Sequence, residues 1–513
     1  MHFNIIIYKL ERIFITKTFI ILKTINKMKK LLLSMLVMLC AAAAASAATT
    51  FTIDGLKYTN QSGTVVQVSG YETAPTGELV IPGQVTYNGT TYTVNRIGYN
   101  AFRNCSDITS VVLPNTVTVI DFSAFGNCSN LTSISLPSGL VSIGGGAFQY
   151  CTSLTSLTIP ASVTSIAGEG QTNTTNRGPV YGCDNLETLV VEAGNTVYDS
   201  RDNCNAIVKT ATNTMIFGCK GSTFPASVTT IGKGAFKETT IENVTISEGV
   251  TTLETFSFYH CRNLKSVNIS STVSTIGSEA FTGCPSLESI VVADANATFD
   301  SRDNCNAIIK TADDELILGC VNTEIPATVK AVGYKAFTET LITDITLPEG
   351  VTTLKPWAFY KCGLLKTVVL PSTLTDIQYG AFQECNSLTD IYAYPAANSV
   401  TLGDDVWAFM DEALWTSTDC TLHVYPEDFD YYSTADQWKE FTVIGDLGEP
   451  ATGKPGDANG DGDVNVNDVT VTINYILDKN PTPFVFDNAD VNGDGAVNVM
   501  DVTAIINLIL NNN

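Results

Sequence analysis

Two stretches near the C-terminus carry oxygen ligands at a spacing that suits a hard divalent cation. Asp457, Asn459, Asp461, Asp463, Asn465 and Asp468 stand at positions 1, 3, 5, 7, 9 and 12 of a 12-residue segment. Asp490, Asn492, Asp494, Ala496, Asn498 and Asp501 repeat the pattern 33 residues later. Calcium takes six to eight oxygens from such a loop, position 7 contributing its backbone carbonyl, so an alanine is admissible there. Gly462 and Gly495 fall at position 6, where the sharp turn suits a residue without Cβ. Val464 and Val497 occupy position 8 in both copies. A pair of Asp/Asn/Gly surface turns would share this composition. Matching ligands, glycines and aliphatics in two copies favour two bound Ca2+ ions.

Each loop must be held by a neighbouring element. After Asp468, Val469, Ile473 and Ile476 recur at helical spacing; after Asp501, Val502, Ile505, Ile506 and Ile509 do the same. Helices of about ten residues are marginal alone in water. These two are expected to pack on each other through those stripes, with metal binding contributing to folding.

This loop–helix duplicate, over Gly456 to Leu510, resembles a type I dockerin. The motifs that carry the resemblance are the two D-x-N-x-D-G-x-x-N-x-x-D loops, with Asp rather than Glu at position 12. The resemblance implies a small all-α calcium-binding domain that contacts a cohesin-like module or cell-surface protein through loop positions 10 and 11 and the following helix. Those positions are Val466, Asn467, Val499 and Met500. They depart from the Ser-Thr pair familiar in clostridial members, which leaves the partner's identity open.

The body of the chain is an array. Ala-Phe followed three residues on by Cys recurs at Phe102/Cys105, Phe125/Cys128, Phe148/Cys151, Phe281/Cys284, Phe359/Cys362 and Phe382/Cys385, with Ser for Ala at Phe258/Cys261. Phe236 and Phe337 keep Ala-Phe without the cysteine. Adjacent units lie 22 or 23 residues apart and are joined by an L-x-x-I-x-L-P-x-x-[VL]-x-x-I segment, as at Leu131, Ile134, Leu136, Pro137, Val141 and Ile143. That period and core define a leucine-rich repeat. One unit cannot bury its own aliphatics, whereas stacked units bury a continuous ladder. The L-x-x-I-x-L segment reads as a strand that Pro ends.

A longer period lies above the first. Asp199-Ser-Arg-Asp-Asn-Cys204-Asn-Ala-Ile-Val-Lys-Thr210 returns as residues 300–311 with one Val-to-Ile change, an offset of 101 residues. The units resemble the BspA-like leucine-rich repeats of bacterial surface proteins over roughly residues 79–400, on the I-G-x-x-A-F-x-x-C motif (97–105, 276–284) and the D-S-R-D-N-C block. The resemblance implies adhesion or ligand binding at a bacterial surface and transfers no functional residues. A polar insert at 167–183 replaces Ala-Phe and is expected to bulge from the solenoid.

The resulting organisation is a β-rich leucine-rich-repeat solenoid of short strands, turns and short helices, with the small all-α module at its C-terminus. Residues 1–27 read as an upstream extension of doubtful translation. Residues 28–47 form a secretory signal: Lys29 and Lys30, the apolar run 31–39 and an Ala45-Ser46-Ala47 cleavage site. Residues 48–94 form an N-terminal β cap with hairpin signals at Asp54-Gly55 and Asn88-Gly89. The array covers 95–389, a C-terminal capping unit 390–447, a Gly/Pro linker 448–455 and the calcium module 456–513. The cap's aromatics Trp407, Phe409, Trp415, Tyr425, Phe429, Trp438 and Phe441 read as its core in preference to a binding surface. The mature chain contains no apolar run of membrane-spanning length. It is expected outside the cell or on a bacterial cell surface.

The formal charge is −24, and residues 1–47 carry seven Lys/Arg against one Glu, so the mature chain is more acidic still. Such a chain repels nucleic acid. Of 14 cysteines, only Cys40 lies within the signal. The one-per-rung thiols read as small buried side chains; Cys204 with Cys219 and Cys305 with Cys320, local and duplicated, are candidate disulfides. His260 and His423 lack a nucleophile motif nearby, and no G-x-S-x-G or H-E-x-x-H occurs. The sequence therefore points to a non-catalytic binding or adhesion protein with an unknown protein or glycan ligand on its repeats. The alternative is an accessory or hydrolytic component of a polysaccharide-degrading assembly.

Overall fold

The computed structural model describes residues 23–25, 27–30, 50–169, 178–404, 406, 420–447, 455–459, 463–477, 479, 481, 484–492 and 496–511. Most of the signal segment, the linker, part of the insert, Trp407, Phe409, Trp415, Asp461, Gly462, Asp494 and Gly495 lie outside them. No described helix is long and apolar enough to cross a membrane.

Each rung has three sides. The L-x-x-I-x-L segment forms a strand such as Ile108–Val112 or Ser133–Ser135, pairing in parallel with the next rung. Its alternating side chains bury Ile134 and expose Ser133 and Ser135. The [VL]-x-x-I segment forms a two-residue strand, such as Val119–Ile120 beside Ser142–Ile143, in a second parallel sheet. The Ala-Phe segment closes the rung as a corner, where Phe125 N–H donates to Ala147 O at 2.8 Å on the next rung.

Phe and Cys have separate duties at that corner. The rings stack from rung to rung: Phe102, Phe125 and Phe148 with centroids 5.4 and 5.9 Å apart, and Phe337, Phe359 and Phe382 at 5.0 and 5.0 Å. Beyond the first rung the thiols donate backwards to a phenylalanine carbonyl: Cys128 to Phe102 O at 3.3 Å, Cys151 to Phe125 O at 3.2 Å, Cys362 to Phe337 O at 3.1 Å. The recurring cysteine is thus a small core side chain that also satisfies a buried carbonyl. At Phe337, which follows a break in the array, Thr340 stands in its place and bonds Phe337 O of its own rung at 2.8 Å.

The duplicated D-S-R-D-N-C block builds that break. Arg201 forks onto Asp199 at 2.9 and 2.7 Å, and Ser200 Oγ donates to Ala206 O at 2.7 Å. Arg302 and Ser301 repeat both contacts. These bonds fix an antiparallel hairpin, Ala206–Lys209 with Thr214–Gly218, and its copy Ala307–Lys310 with Glu315–Gly319. Both hairpins act as walls. Ile207 faces one core cluster while Ala206 and Val208 face the next; Ile308 opposes Ala307 and Ile309 in the same way. Period-two alternation thus divides the hydrophobic core into three clusters.

The walls also correct the expected disulfides. Cys204 and Cys219 are both free thiols, as are Cys305 and Cys320. Cys219 belongs to the first core cluster and Cys204 to the second; Cys320 belongs to the second and Cys305 to the third. The two members of each pair point to opposite sides of one hairpin. Cys219 donates to Asn205 O at 3.3 Å, and Cys320 to Asn306 O at 3.4 Å.

At the N-terminus, Asp54 (φ 48°) and Gly55 (φ 79°) turn Thr50–Ile53 into Leu56–Ser62, and Asn88 and Gly89 do the same for Gln84–Tyr87 and Thr90–Ile97. Left-handed backbone at both central positions matches the strand twist. At the C-terminus, Thr421–His423 and Thr442–Ile444 extend the array sheet. Tyr425, Trp438 and Phe441 are buried there, whereas Phe429 is 39% exposed.

Candidate calcium-binding and docking module

Asp468 and Asp501 organise the two loops alike. Asp468 Oδ1 accepts Asn459 N–H at 3.0 Å and its Oδ2 accepts Asn465 N–H at 2.8 Å. Asp501 takes Asn492 N–H at 3.2 Å and Asn498 N–H at 2.9 Å. The last loop residue therefore ties back positions 3 and 9. Asn465 also caps the Val466–Ile476 helix, its Oδ1 accepting Asn467 N–H at 2.9 Å; with Asp468 this forms a capping box. Asn498 Oδ1 accepts Met500 N–H at 2.8 Å at the start of the Val499–Asn511 helix.

Both carboxylates are fully buried, and no salt bridge among the described residues involves either. A buried anion needs compensating charge, so the arrangement fits a bound cation. Asp457, at position 1 of the first loop, is 3% exposed. Asp463 and Ala496, at position 7 of the two loops, are exposed. Asn465 and Asn498 Nδ2 donate to the position-7 carbonyls at 3.3 and 3.0 Å. Asp461 and Asp494, expected at position 5, lie outside the described residues. Among the described residues alone, no three acidic, histidine or cysteine side chains converge.

The loops are also joined. Gly456 N–H donates to Asn488 O at 2.7 Å, Asn488 Nδ2 to Asp457 O at 2.8 Å, and Val485 N–H to Ala458 O at 2.8 Å. The entry to the first loop is thus bonded to the segment leading into the second. Gly456 has φ +91°, and a Cβ there would come within 2.9 Å of Val464 and 3.0 Å of Leu508. Only glycine suits both the backbone and the space.

The helices pack on each other, but not through the whole apolar set expected. Thr472 and Ile505 are fully buried, whereas Ile473 and Ile506 are 40% and 39% exposed. The reason is angular: Asp468 must face the loop, and Thr472, one turn on, continues that face and donates to Asp468 O at 2.8 Å. The outward face carries Val466, Ile473 and Leu477 on one helix and Val499, Ile506 and Leu510 on the other. The two triplets are related by the same 33-residue offset as the loops. Val466, Val499 and Met500 are exposed, at 69%, 69% and 67%, and so is Asn467. From sequence Ile473 and Ile506 read as packing residues, and Leu477 and Leu510 are not singled out; the shared offset and the 7- and 4-residue spacing from Val466 and Val499 would have found all four as one outward set.

Outside this module, the long-strand sheet shows water a polar ladder. Thr132, Ser133, Ser135, Thr155, Ser156 and Thr158 are exposed, and Ser266 Oγ donates to Asn243 at 2.7 Å. The histidines are engaged in the scaffold. His423 Nδ1 lies 2.9 Å from Asp446 and Nε2 3.2 Å from Asp390, with its ring stacked on Tyr392. His260 lies 3.9 Å from Glu339, and burial holds its pKa below the ordinary imidazole value.

The BspA type leucine rich repeat region matches in six copies over residues 88–199, 212–308 and 318–409, more than half of the sequence. The chain belongs to the BspA type leucine-rich repeat family. Residues 455–510 match the dockerin type I domain, a calcium-binding module whose partners are cohesin-type. Both are non-catalytic module types, and BspA-like proteins are typically secreted or displayed at the surface. Among solved structures, the chain is similar to a leucine rich cell surface protein from Faecalibacterium prausnitzii, with 22% identity and a TM-score of 0.45 over 79% of this chain and 100% of that one. A leucine-rich repeat protein from Bacteroides ovatus has 22% identity and a TM-score of 0.35, over 77% and 99%. The pneumococcal vaccine antigen PcpA has 15% identity and a TM-score of 0.35, over 78% and 100%. No curated protein matches the chain.

Proposed function

We propose that this BspA-type protein is an exported, non-catalytic binding protein whose repeat array presents a ligand surface and whose C-terminal module docks it to a cohesin-type or surface partner. The observation that carries the docking reading is the duplicated outward stripe, Val466–Ile473–Leu477 and Val499–Ile506–Leu510, on helices that begin at the two loops. Apolar side chains exposed at matching positions of two helices favour a protein partner. In this reading two calcium ions are held by Asp457, Asn459, Asp461, the Asp463 carbonyl, Asn465 and Asp468, and by Asp490, Asn492, Asp494, the Ala496 carbonyl, Asn498 and Asp501. The metal supplies folding energy to helices too short to persist alone. Val466, Asn467, Val499 and Met500 then lie at the centre of the contact.

The test is capture from an extract of the producing organism's surface proteins, with the full chain immobilised. A partner retained in calcium, released by chelator and lost with Ile473→Asp/Ile506→Asp supports docking. Retention that ignores both treatments contradicts it. The dockerin module also supports a second reading, an accessory role in a polysaccharide-degrading assembly. Turnover of plant or mucin glycans by the purified chain, abolished by one carboxylate substitution, would overturn the non-catalytic part of the proposal.

A further inference from the structure

The 101-residue duplication supplies an internal control for one cleft. Where each hairpin wall interrupts the array, the corner before it and the corner after it leave a gap. At the first wall the gap is about 30 Å³, and at the second about 220 Å³. The two hairpins share one plan, and the lining of the gaps differs. Phe217 fills the first gap, its ring 2.6 Å from where a Cβ on Gly178 would stand. The second has the smaller Leu318 at the matching position. Gly178, Thr214, Lys233 and Gly234 of the first copy correspond to Glu279, Glu315, Tyr334 and Lys335 of the second.

The second cleft is thus wider and carries groups that the first lacks. Lys335 Nζ pairs with Glu279 at 2.8 Å and Lys355 Nζ with Glu315 at 2.7 Å. Both carboxylates are only 13% exposed. Lys335 and Glu279 take φ of +56° and +58°, and Gly234 in the sister copy takes +66°. Lysine is therefore held in a conformation that suits glycine, and the ion pair it makes spans the gap. Along the rim, Tyr334, Trp357 and Tyr379 come from successive corners and meet edge to face at 5.7 and 5.1 Å. Tyr334 and Tyr379 are 37% and 38% exposed.

We propose that the cleft between the Glu279 and Lys335 corners binds a sugar unit of a neutral glycan, with Tyr334 and Trp357 as its stacking rim. The inference rests on the reading of the array as a ligand-binding surface and names one site and one ligand class for it. Two ammonium–carboxylate pairs leave the cleft without net charge, which disfavours an anionic or cationic ligand. Paired in this way, the groups still offer N–H donors and carboxylate acceptors to hydroxyls. Lys335 Nζ lies 5.3 and 5.5 Å from the Tyr334 and Trp357 ring centroids, so a pyranose would meet the part of these half-buried rings that the ammonium leaves open. Few polar groups beside aromatic surface is the usual make-up of a small-ligand site.

The experiment is saturation-transfer NMR and calorimetry of the full chain with β-1,4-glucan, β-1,4-xylan, β-1,4-mannan, α-1,4-glucan and N-acetyllactosamine tetrasaccharides, with oligogalacturonate as the acidic control. Three variants return parts of the site to its sister copy: Leu318→Phe with Glu279→Gly, Tyr334→Lys, and Lys335→Gly with Glu279→Gly. At least one neutral oligosaccharide is expected to bind and oligogalacturonate is not. Each variant is expected to weaken binding at least tenfold, and removing Glu279 together with Leu318 or Lys335 keeps the first copy's own combination of residues, so the thermal midpoint is expected to stay close to that of the parent chain. Absence of binding by every neutral sugar, equal binding of the acidic one, or affinity indifferent to the three variants would overturn the assignment. If the variants still capture a surface partner through the array, the cleft fails while the wider binding role stands.

Discussion

The three-way division of the core makes Phe359→Ala a local lesion. Phe359 is fully buried, stacked at 5.0 Å on both Phe337 and Phe382. Truncating such a phenylalanine costs about 3–5 kcal/mol, and the two lost ring pairs supply roughly 1–3 kcal/mol of it. At a urea slope of about 2 kcal/mol/M, the transition of that segment moves down by roughly 1.5–2.5 M. The sequence provides a reporter, because all four tryptophans lie between positions 357 and 438, on the C-terminal side of the second wall. Tryptophan fluorescence reads this segment and far-UV circular dichroism reads the whole chain. Phe359→Ala should shift the fluorescence transition while a large part of the dichroism change stays in place. Phe125→Ala, equally buried and stacked between Phe102 and Phe148, should do the reverse. Coincident transitions in both variants would refute the hairpin walls as limits of cooperativity and require a solenoid that unfolds as one unit.

The remaining predictions concern thiols and metal. The 13 described cysteines are free and buried, so Ellman's reagent should find no fast thiols in the native chain and should label these 13 in guanidinium; rapid native labelling would contradict the packing. Burial pushes the thiols of Cys183, Cys261 and Cys420 up to about 12. Between pH 9 and 12 the native thiols keep protons that the unfolded chain has lost, so urea midpoints should fall as pH rises through that window and hold below it. In the calcium module, the second loop has Ala496 where the first has Asp463, one fewer nearby carboxylate, and should bind its ion more weakly. Ala496→Asp should tighten that site by roughly tenfold at low salt, since a carboxylate near a divalent ion contributes about 1–2 kcal/mol across high dielectric. Calorimetry that finds the wild-type sites equal would contradict the asymmetry.

Much of this was legible because the array is local and periodic. The L-x-x-I-x-L segments became strands with Ile134 inward and Ser133 outward, and Asp54-Gly55 and Asn88-Gly89 became the turns their dipeptides require. The D-S-R-D-N-C block showed only that something is duplicated. Its role as a wall depends on which side of a hairpin each side chain faces, and that alternation also separated the cysteines expected to pair. The helix stripes were half read. Periodicity found Ile473 and Ile506 as apolar members, but Asp468 and Asp501, turned toward the loops, rotate those residues outward. The second cleft left no local signal, because its difference from the first arises from residues that meet only across the gap.

The central claim is that metal folds two short helices into a docking face at the end of a repeat array. Calcium titration of the full chain, read by calorimetry and by hydrogen exchange at the Thr472 and Ile505 amides, tests it most directly. The account predicts two ions bound, protection of Val466–Ile476 and Val499–Asn511 that rises with calcium, and loss of one ion each in Asp468→Ala and Asp501→Ala. Helices equally protected in chelator, or an ion count that neither substitution alters, would contradict it.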